Sequence, residues 1–152
     1  MKITPAQYIK YCNQLVKLIE EEHISPKTID CVVGIARGGL ALAQQVAYYF
    51  NIKQVQSIGI SSYRQKRQIG IKCYQPISIV KGHWPDILVV DDLADSGNTL
   101  KFVKDHLLEV SPECKITIAT LFMKTDTIVI PDIFCTTVDK KVWITFPYDK
   151  EE

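Results

Sequence analysis

Residues Ile87–Leu100 read "ILVVDDLADSGNTL". Four apolar residues run straight into adjacent carboxylates at Asp91 and Asp92, a third acid follows at Asp95, and Ser96 to Thr99 are small or polar. A short apolar run bounded by turn residues predicts a buried strand. In open α/β sheets, ligands bind in the crevice beyond the carboxyl ends of the strands, and the two acids fall at such an end. Successive strand residues point to opposite faces, so the two carboxylates need not share one task. One can accept hydrogen bonds from sugar hydroxyls while the other holds Mg²⁺, a hard ion that favours oxygen ligands. The following loop has a different use. Gly97 relieves steric limits on the backbone, and Ser96, Asn98 and Thr99 carry short polar side chains. Wrapped into the N-terminus of a helix, that loop turns several unpaired N–H groups toward one point, an arrangement that binds phosphate. A metal or polyol site beside a phosphate cradle suits a sugar phosphate. A solvated acidic turn with an ordinary helix cap is the plainer alternative, and three acids followed by Ser-Gly-x-Thr weigh against it.

The flanking pattern supports a parallel sheet. Thr4 is a plausible N-cap, Pro5 fits the first helical position, and Gln7 completes a capping-box spacing. Ile9, Cys12, Val16 and Ile19 then draw one apolar helical face, which Glu20 to Glu22 and Ser25-Pro26 end. "CVVGI" from Cys31 reads as a strand, followed by "ARGG" and a helix with Leu42, Val46, Ala47 and Phe50 inward. "VQSIGI" reads as the next strand, then a polar basic segment, then "ILVV". A helix over roughly 99–110 turns Leu100, Val103, Leu107 and Leu108 inward, and Ser111-Pro112 stops it. "ITIATLF", "IFCTTV" and "VWITF" supply further strands. Short apolar strands alternating with helices predict one α/β domain over 1–152, a mostly parallel sheet flanked by helices.

Composition narrows the function classes. The chain has 152 residues, 47% hydrophobic and 23% charged, which fits one globular domain. A net charge of +1 gives no long-range field toward nucleic acid or an anionic membrane. No apolar run approaches a membrane span, so no stable membrane insertion is expected, and no charged-then-apolar opening suggests a signal peptide. Cys12, Cys31, Cys73, Cys114 and Cys135 are odd in number and scattered, without a C-x-x-C pair, which argues against zinc and a disulfide framework and for a reducing cytoplasm. The G-x-x-x-x-G-K-[ST] phosphate loop is absent from the sequence.

"VVDDLADSGNT" resembles the phosphoribosyl-pyrophosphate (PRPP) motif of type I phosphoribosyltransferases: two apolar residues, two acids, a spacer, then Asp-Ser/Thr-Gly-x-Thr. "VVGIARGGL" is similar to the family's pyrophosphate loop, with Arg37, Gly38 and Gly39 in place. "SIGISSY" resembles the start of its flexible lid, with the Ser-Tyr pair at Ser62 and Tyr63. Among subfamilies, the small bacterial xanthine-guanine enzymes are the nearest in pattern. "TLFMKTD" resembles their strand with a base-reading lysine, here Lys124. "VWITFPYD" resembles their C-terminal purine-binding hood, Trp-Ile-x-x-Pro-aromatic-Asp, at Trp143, Ile144, Pro147, Tyr148 and Asp149. The similar segments run in order from about residue 31 to 149. There are two departures: Ala36 stands where a Ser often precedes the arginine, and Asn98 replaces a frequent Gly.

The resemblance implies a purine salvage enzyme that joins a 6-oxopurine (guanine, xanthine or hypoxanthine) to C1 of PRPP and expels pyrophosphate. PRPP would lie on Arg37, Gly38, Gly39, Asp91, Asp92 and Asp95 to Thr99, with a cis peptide before Arg37, Mg²⁺ as cofactor and Asp92 as its ligand. The transition state is oxocarbenium-like, so leaving-group neutralisation and placement matter more than a protein nucleophile. Asp95 is the catalytic candidate, facing N7 of the purine; a carboxylate of ordinary acidity is ionised at neutral pH and serves as a base. Lys124 would donate to the oxygen at C6, Trp143 would stack on the ring, and backbone near Ile144 and Asp149 would read position 2. Ser62, Tyr63, Arg64 and Arg67, in a stretch with Lys66 and Lys72 but no acid, would form a lid that excludes water; a solvated basic hairpin is the bland alternative. The family's habit implies a homodimer or homotetramer. A PRPP- or nucleotide-sensing regulator of the same fold is the competing function.

Overall fold

The computed structural model describes residues 1–22, 28–65, 68–77 and 85–149. Its elements are α1 (Pro5–Glu22), β1 (Cys31–Ala36), α2 (Gly39–Tyr49), β2 (Val55–Gln65), β3 (Gln68–Gln75), β4 (Asp86–Ala94), α3 (Asn98–Val110), β5 (Lys115–Lys124) and β6 (Ile133–Val138). The strands form one sheet in the order β3-β2-β1-β4-β5-β6. Every neighbouring pair is parallel except β2 and β3, so the expected mostly parallel sheet is present with one antiparallel edge strand.

Local chemistry explains the helices. The capping box forms: the Gln7 N–H donates to Thr4 Oγ1 at 3.2 Å and the Thr4 N–H to Gln7 Oε1 at 2.9 Å, satisfying two donors at the start of α1. The inward face of α1 is Cys12, Leu15, Val16 and Ile19; Ile9, expected inside, is 56% exposed, and Leu15 takes a core position instead. α2 buries Leu42, Ala43, Val46 and Ala47, while Phe50 sits half-buried at its C-cap. α3 buries Leu100, Val103 and Leu107, with Leu108 half-buried. The Ser25-Pro26 stop lies outside the described residues.

β1 and β4 are buried on both faces over Cys31–Ile35 and Asp86–Val90, which is why they read as continuous apolar runs rather than alternating ones. The sheet separates two cores. Val32, Leu88 and Val90 pack with α1 and α2 on one side; Val33, Ile87 and Val89 pack with α3 on the other. The chain leaves β1 for β2 in one direction and β4 for β5 in the other, so the switch point lies between the carboxyl ends of β1 and β4.

One expected strand needs correction. "VWITF" is not a strand of the sheet: it makes a single parallel bridge, Thr145 to Lys2, held by Ile3 N–H to Thr145 O and Thr145 N–H to Met1 O, both 2.9 Å. Its partner, Lys2, lies just before α1, which takes the backbone out of pairing from Pro5 onward. The polar basic segment after "VQSIGI" takes the form of the bland alternative, two antiparallel strands. It continues β2 to Gln65 and returns as β3, with Tyr63 opposite Gly70 and Gln65 opposite Gln68. Its outward Lys72 and Tyr74 make an edge that meets water, which masks the half-buried Ile71 and Cys73 between them.

Candidate active site

At the switch point lies a cleft of about 1340 Å³. Of the residues expected at a site, Arg37, Gly38, Ser62, Asp91, Asp92, Thr99, Trp143 and Asp149 line it. Tyr148, named above within the hood motif, lines it as well, and so do Lys2, Ile60, Ser61 and Thr145, to which sequence reasoning gave no role. Lys2 is brought there by pairing with Thr145, far away in sequence, which leaves no local signal.

The peptide bond between Ala36 and Arg37 is cis, as the resemblance implied. Arg37 is exposed and makes no ion pair among the described residues, so its guanidinium is available to an anion. Gly38 and Gly39 lead into α2 directly over the end of β4. A Cβ on Gly38 would lie 2.0 Å from Asp92 Oδ2, and one on Gly39 would lie 2.5 Å from the Val90 carbonyl oxygen. Only a bare backbone permits that approach.

Strand alternation sets Asp91 and Asp92 on opposite faces, and the structure ties them together by the Asp92 N–H donating to Asp91 Oδ1 at 3.0 Å. Burial, then the negative charge of Asp92, hold the Asp91 carboxyl well above the usual carboxylate range. Burial also raises Asp92, opposed by a hydrogen bond from the Tyr148 hydroxyl and reinforced by the charge of Asp149. Folded Asp91 therefore holds its proton more tightly than unfolded Asp91. Stability contributed by this group falls as pH rises from about 4 through the raised value. Asp91→Asn removes that cost and keeps an oxygen for the Asp92 N–H. Thermal melts are expected to show a higher Tm than wild type at pH 7, with the gap closing below about pH 4.

The loop after β4 is built on Gly97, which has φ +84 and precedes α3. There a Cβ would lie 2.6 Å from both Thr127 Oγ1 and the Val129 nitrogen. Positive φ is needed at Gly97 and not at Asn98, which is already helical; this is why Asn98 is accommodated where the family often has Gly. Gly97→Ala is expected to destabilise the fold by about 2–4 kcal/mol, from the left-handed backbone and the overpacking together, read from denaturant midpoints. Around it, the Asn98 N–H donates to Ser96 Oγ at 3.3 Å and the Ile128 N–H to the Ser96 carbonyl at 3.0 Å. α3 has no side-chain N-cap bond and no acid in its first turn, so its positive end is left for an anion.

Asp95 and Lys124 lie beside this loop. Lys124 is 5% exposed; its ammonium donates to the Lys140 carbonyl at 3.1 Å and to the Val142 carbonyl. Its Nζ lies 3.9 Å from Asp95 Oδ1, whose side chain is 73% exposed. A buried cation held by main chain thus faces an open carboxylate. In the C-terminal segment, Trp143 is 80% exposed with its ring bare, and Ile144 is buried. Asp149 Oδ2 accepts the Phe146 N–H at 2.7 Å and closes the turn that carries Tyr148. In the hairpin, Ser62 lies in the cleft and Tyr63 and Arg64 belong to β2; Arg67 lies outside the described residues.

A phosphoribosyl transferase domain model matches residues 7–151. The chain belongs to that family. A xanthine-guanine phosphoribosyltransferase of Nitratidesulfovibrio vulgaris is 36% identical over 120 residues, 79% of this chain and 69% of the relative. One from Chromohalobacter salexigens is 32% identical over 138 residues, 91% of this chain and 74% of the relative. Among solved structures, the Helicobacter pylori xanthine-guanine-hypoxanthine phosphoribosyltransferase is 31% identical with a TM-score of 0.81, covering 95% of this chain and 90% of that one. A purine phosphoribosyltransferase from Pyrococcus horikoshii is 27% identical with a TM-score of 0.82, covering 100% and 95%. The fold is that of the type I phosphoribosyltransferases, and the chain is an enzyme of the pentosyltransferase class. Among the described residues, no helix of this phosphoribosyltransferase is long and apolar enough to cross a membrane.

Proposed function

We propose that this phosphoribosyltransferase transfers the 5-phosphoribosyl group of PRPP to N9 of a 6-oxopurine and releases pyrophosphate. The observation that carries the reading is the 3.9 Å pair of Lys124 Nζ and Asp95 Oδ1. Oxygen 6 and nitrogen 7 lie side by side on one edge of a purine. A donor and a base at that separation match the two atoms: Lys124 donates to O6 while Asp95 takes the proton from N7. An ammonium carries donors only, so it favours a 6-oxo over a 6-amino group. Exposed Trp143 offers a stacking face, and main chain at Ile144 and Asp149 reads position 2, where guanine, xanthine and hypoxanthine differ.

In the reaction N9 forms a bond to C1 of the ribose, the C1–oxygen bond to pyrophosphate breaks with its electron pair leaving on oxygen, and the N7 proton passes to Asp95. Arg37 and the N–H groups of residues 37–39 face the pyrophosphate; Asp91 and Asp92 face the ribose hydroxyls; Ser96 to Thr99 and the start of α3 hold the 5′-phosphate. The oxygen-only donors of the Asp91–Asp92 pair fit Mg²⁺. Among the described residues no group of three or more metal-binding side chains occurs, so Asp92 would hold the ion together with substrate oxygens. Bound there, Mg²⁺ supplies charge neutralisation to the leaving pyrophosphate. Ser62, Tyr63 and Arg64 of β2 stand on the pyrophosphate side as the lid residues that would keep water from the oxocarbenium-like centre. The reading places the enzyme in a reducing cytoplasm, where its five free cysteines stay reduced, as a homodimer or homotetramer measurable by light scattering.

The test is nucleotide formation with PRPP and Mg²⁺ and each of guanine, xanthine, hypoxanthine, adenine, uracil and orotate. Turnover confined to 6-oxopurines is expected. Turnover of adenine or a pyrimidine would overturn the roles given to Lys124 and Trp143.

A further inference from the structure

The C-terminal segment reaches the acidic end of β4 through one side chain. The Tyr148 hydroxyl donates to Asp92 Oδ2 across 56 residues of sequence. Packing fixes where that hydroxyl lies. The Tyr148 ring stacks on Phe146, with centroids 5.4 Å apart and planes 7° from parallel. It also meets the ring of Tyr8 on α1 edge-on, at 5.7 Å and 90°. Gly38 overhangs the same carboxylate oxygen, so close that a Cβ there would lie 2.0 Å away. Asp92 Oδ2 is thus enclosed by a hydroxyl and by the main chain of the pyrophosphate loop.

We propose that Tyr148 is a positioning residue: its hydroxyl holds the Asp92 carboxylate turned so that Oδ1 meets the ribose and metal end of PRPP. This inference rests on the function proposed above. The aromatic stack needs only a ring, and phenylalanine would satisfy it; the hydroxyl is the part that acts on Asp92. The bond reaches from segment 143–149 to β4, while the ring contacts with Phe146 and Tyr8 hold that segment in place without it.

Tyr148→Phe keeps both ring contacts and deletes one hydrogen bond to a charged group, a bond of the stronger kind. Calorimetric titration with PRPP and Mg²⁺ is expected to show affinity reduced about tenfold or more. kcat/KM for PRPP falls in parallel, while KM for the purine stays within about twofold of wild type. In an Asp92→Asn background the added effect of Tyr148→Phe on PRPP binding vanishes, because the hydroxyl acts through that carboxylate. Unchanged PRPP affinity in Tyr148→Phe overturns the proposal. So does an undiminished additional loss in the Asp92→Asn background, or a fall in Tm with PRPP and purine parameters lowered together. Wild-type protein that binds PRPP and Mg²⁺ but turns over no base would sink the catalytic function instead, and the titration would still read the effect of Tyr148.

Discussion

Asp95→Asn is expected to lower kcat by about 10²–10⁴-fold, the usual contribution of a positioned general base, with PRPP affinity and Tm close to wild type. The amide keeps the shape of the carboxylate but cannot take a proton from N7. Asp95 has little structural work that the substitution would disturb: its side chain is 73% exposed, and its partner among the described residues is Lys124 at 3.9 Å. Were Asp95 only an orienting partner of Lys124, the substitution would raise KM for the base and leave kcat nearly intact. Steady-state kinetics with saturating PRPP and varied guanine separates the two.

Lys124→Met removes the donor while keeping the length of the side chain. The ammonium has three N–H donors. Two go to the carbonyls of Lys140 and Val142, which leaves one for the purine edge beside Asp95. Deleting it leaves O6 unpaired in the bound state, and kcat/KM for guanine is expected to fall about 100-fold, as when a site loses a charge-assisted hydrogen bond. The two carbonyls, on exposed Lys140 and half-buried Val142, also lose their donor, and water can take its place in part, so stability falls by about 0.5–1.5 kcal/mol. PRPP affinity stays near wild type, since Lys124 does not line the pyrophosphate side of the cleft. Base-dependent kinetics and urea denaturation check the two effects separately. An equal loss of PRPP and base affinity would mean that the residue supports the whole fold rather than the base pocket.

The central strand and the loop after it were legible because their chemistry is local. Two acids after an apolar run mark where β4 stops pairing with β1, although the strand itself runs on beside β5 to Ala94, and Gly97 marks the residue whose backbone turns left-handed before α3. The capping box of Thr4 and Gln7 was legible for the same reason, since both members sit within one helical turn. What escaped depends on distant partners. β3 was hidden because its basic and polar residues face water on an edge strand, which dilutes the alternation of Ile71 and Cys73. "VWITF" alternates like a strand, yet among the described residues its strand pairing is the one bridge to Lys2. The Tyr148–Asp92 bond and the two carbonyls on Lys124 join segments 16 to 56 residues apart, and no periodicity encodes them. The family motifs named Asp92 and Lys124 without naming what holds them.

The most direct measurement is product analysis after incubating the protein with guanine, PRPP and Mg²⁺, with pyrophosphate and nucleotide quantified in the same sample. One nucleoside 5′-monophosphate linked through N9 for each pyrophosphate released, both abolished together in Asp95→Asn, is the predicted result. Tight PRPP binding with neither product would make the chain a sensor and contradict the account, and pyrophosphate released without nucleotide would contradict the transfer to a purine.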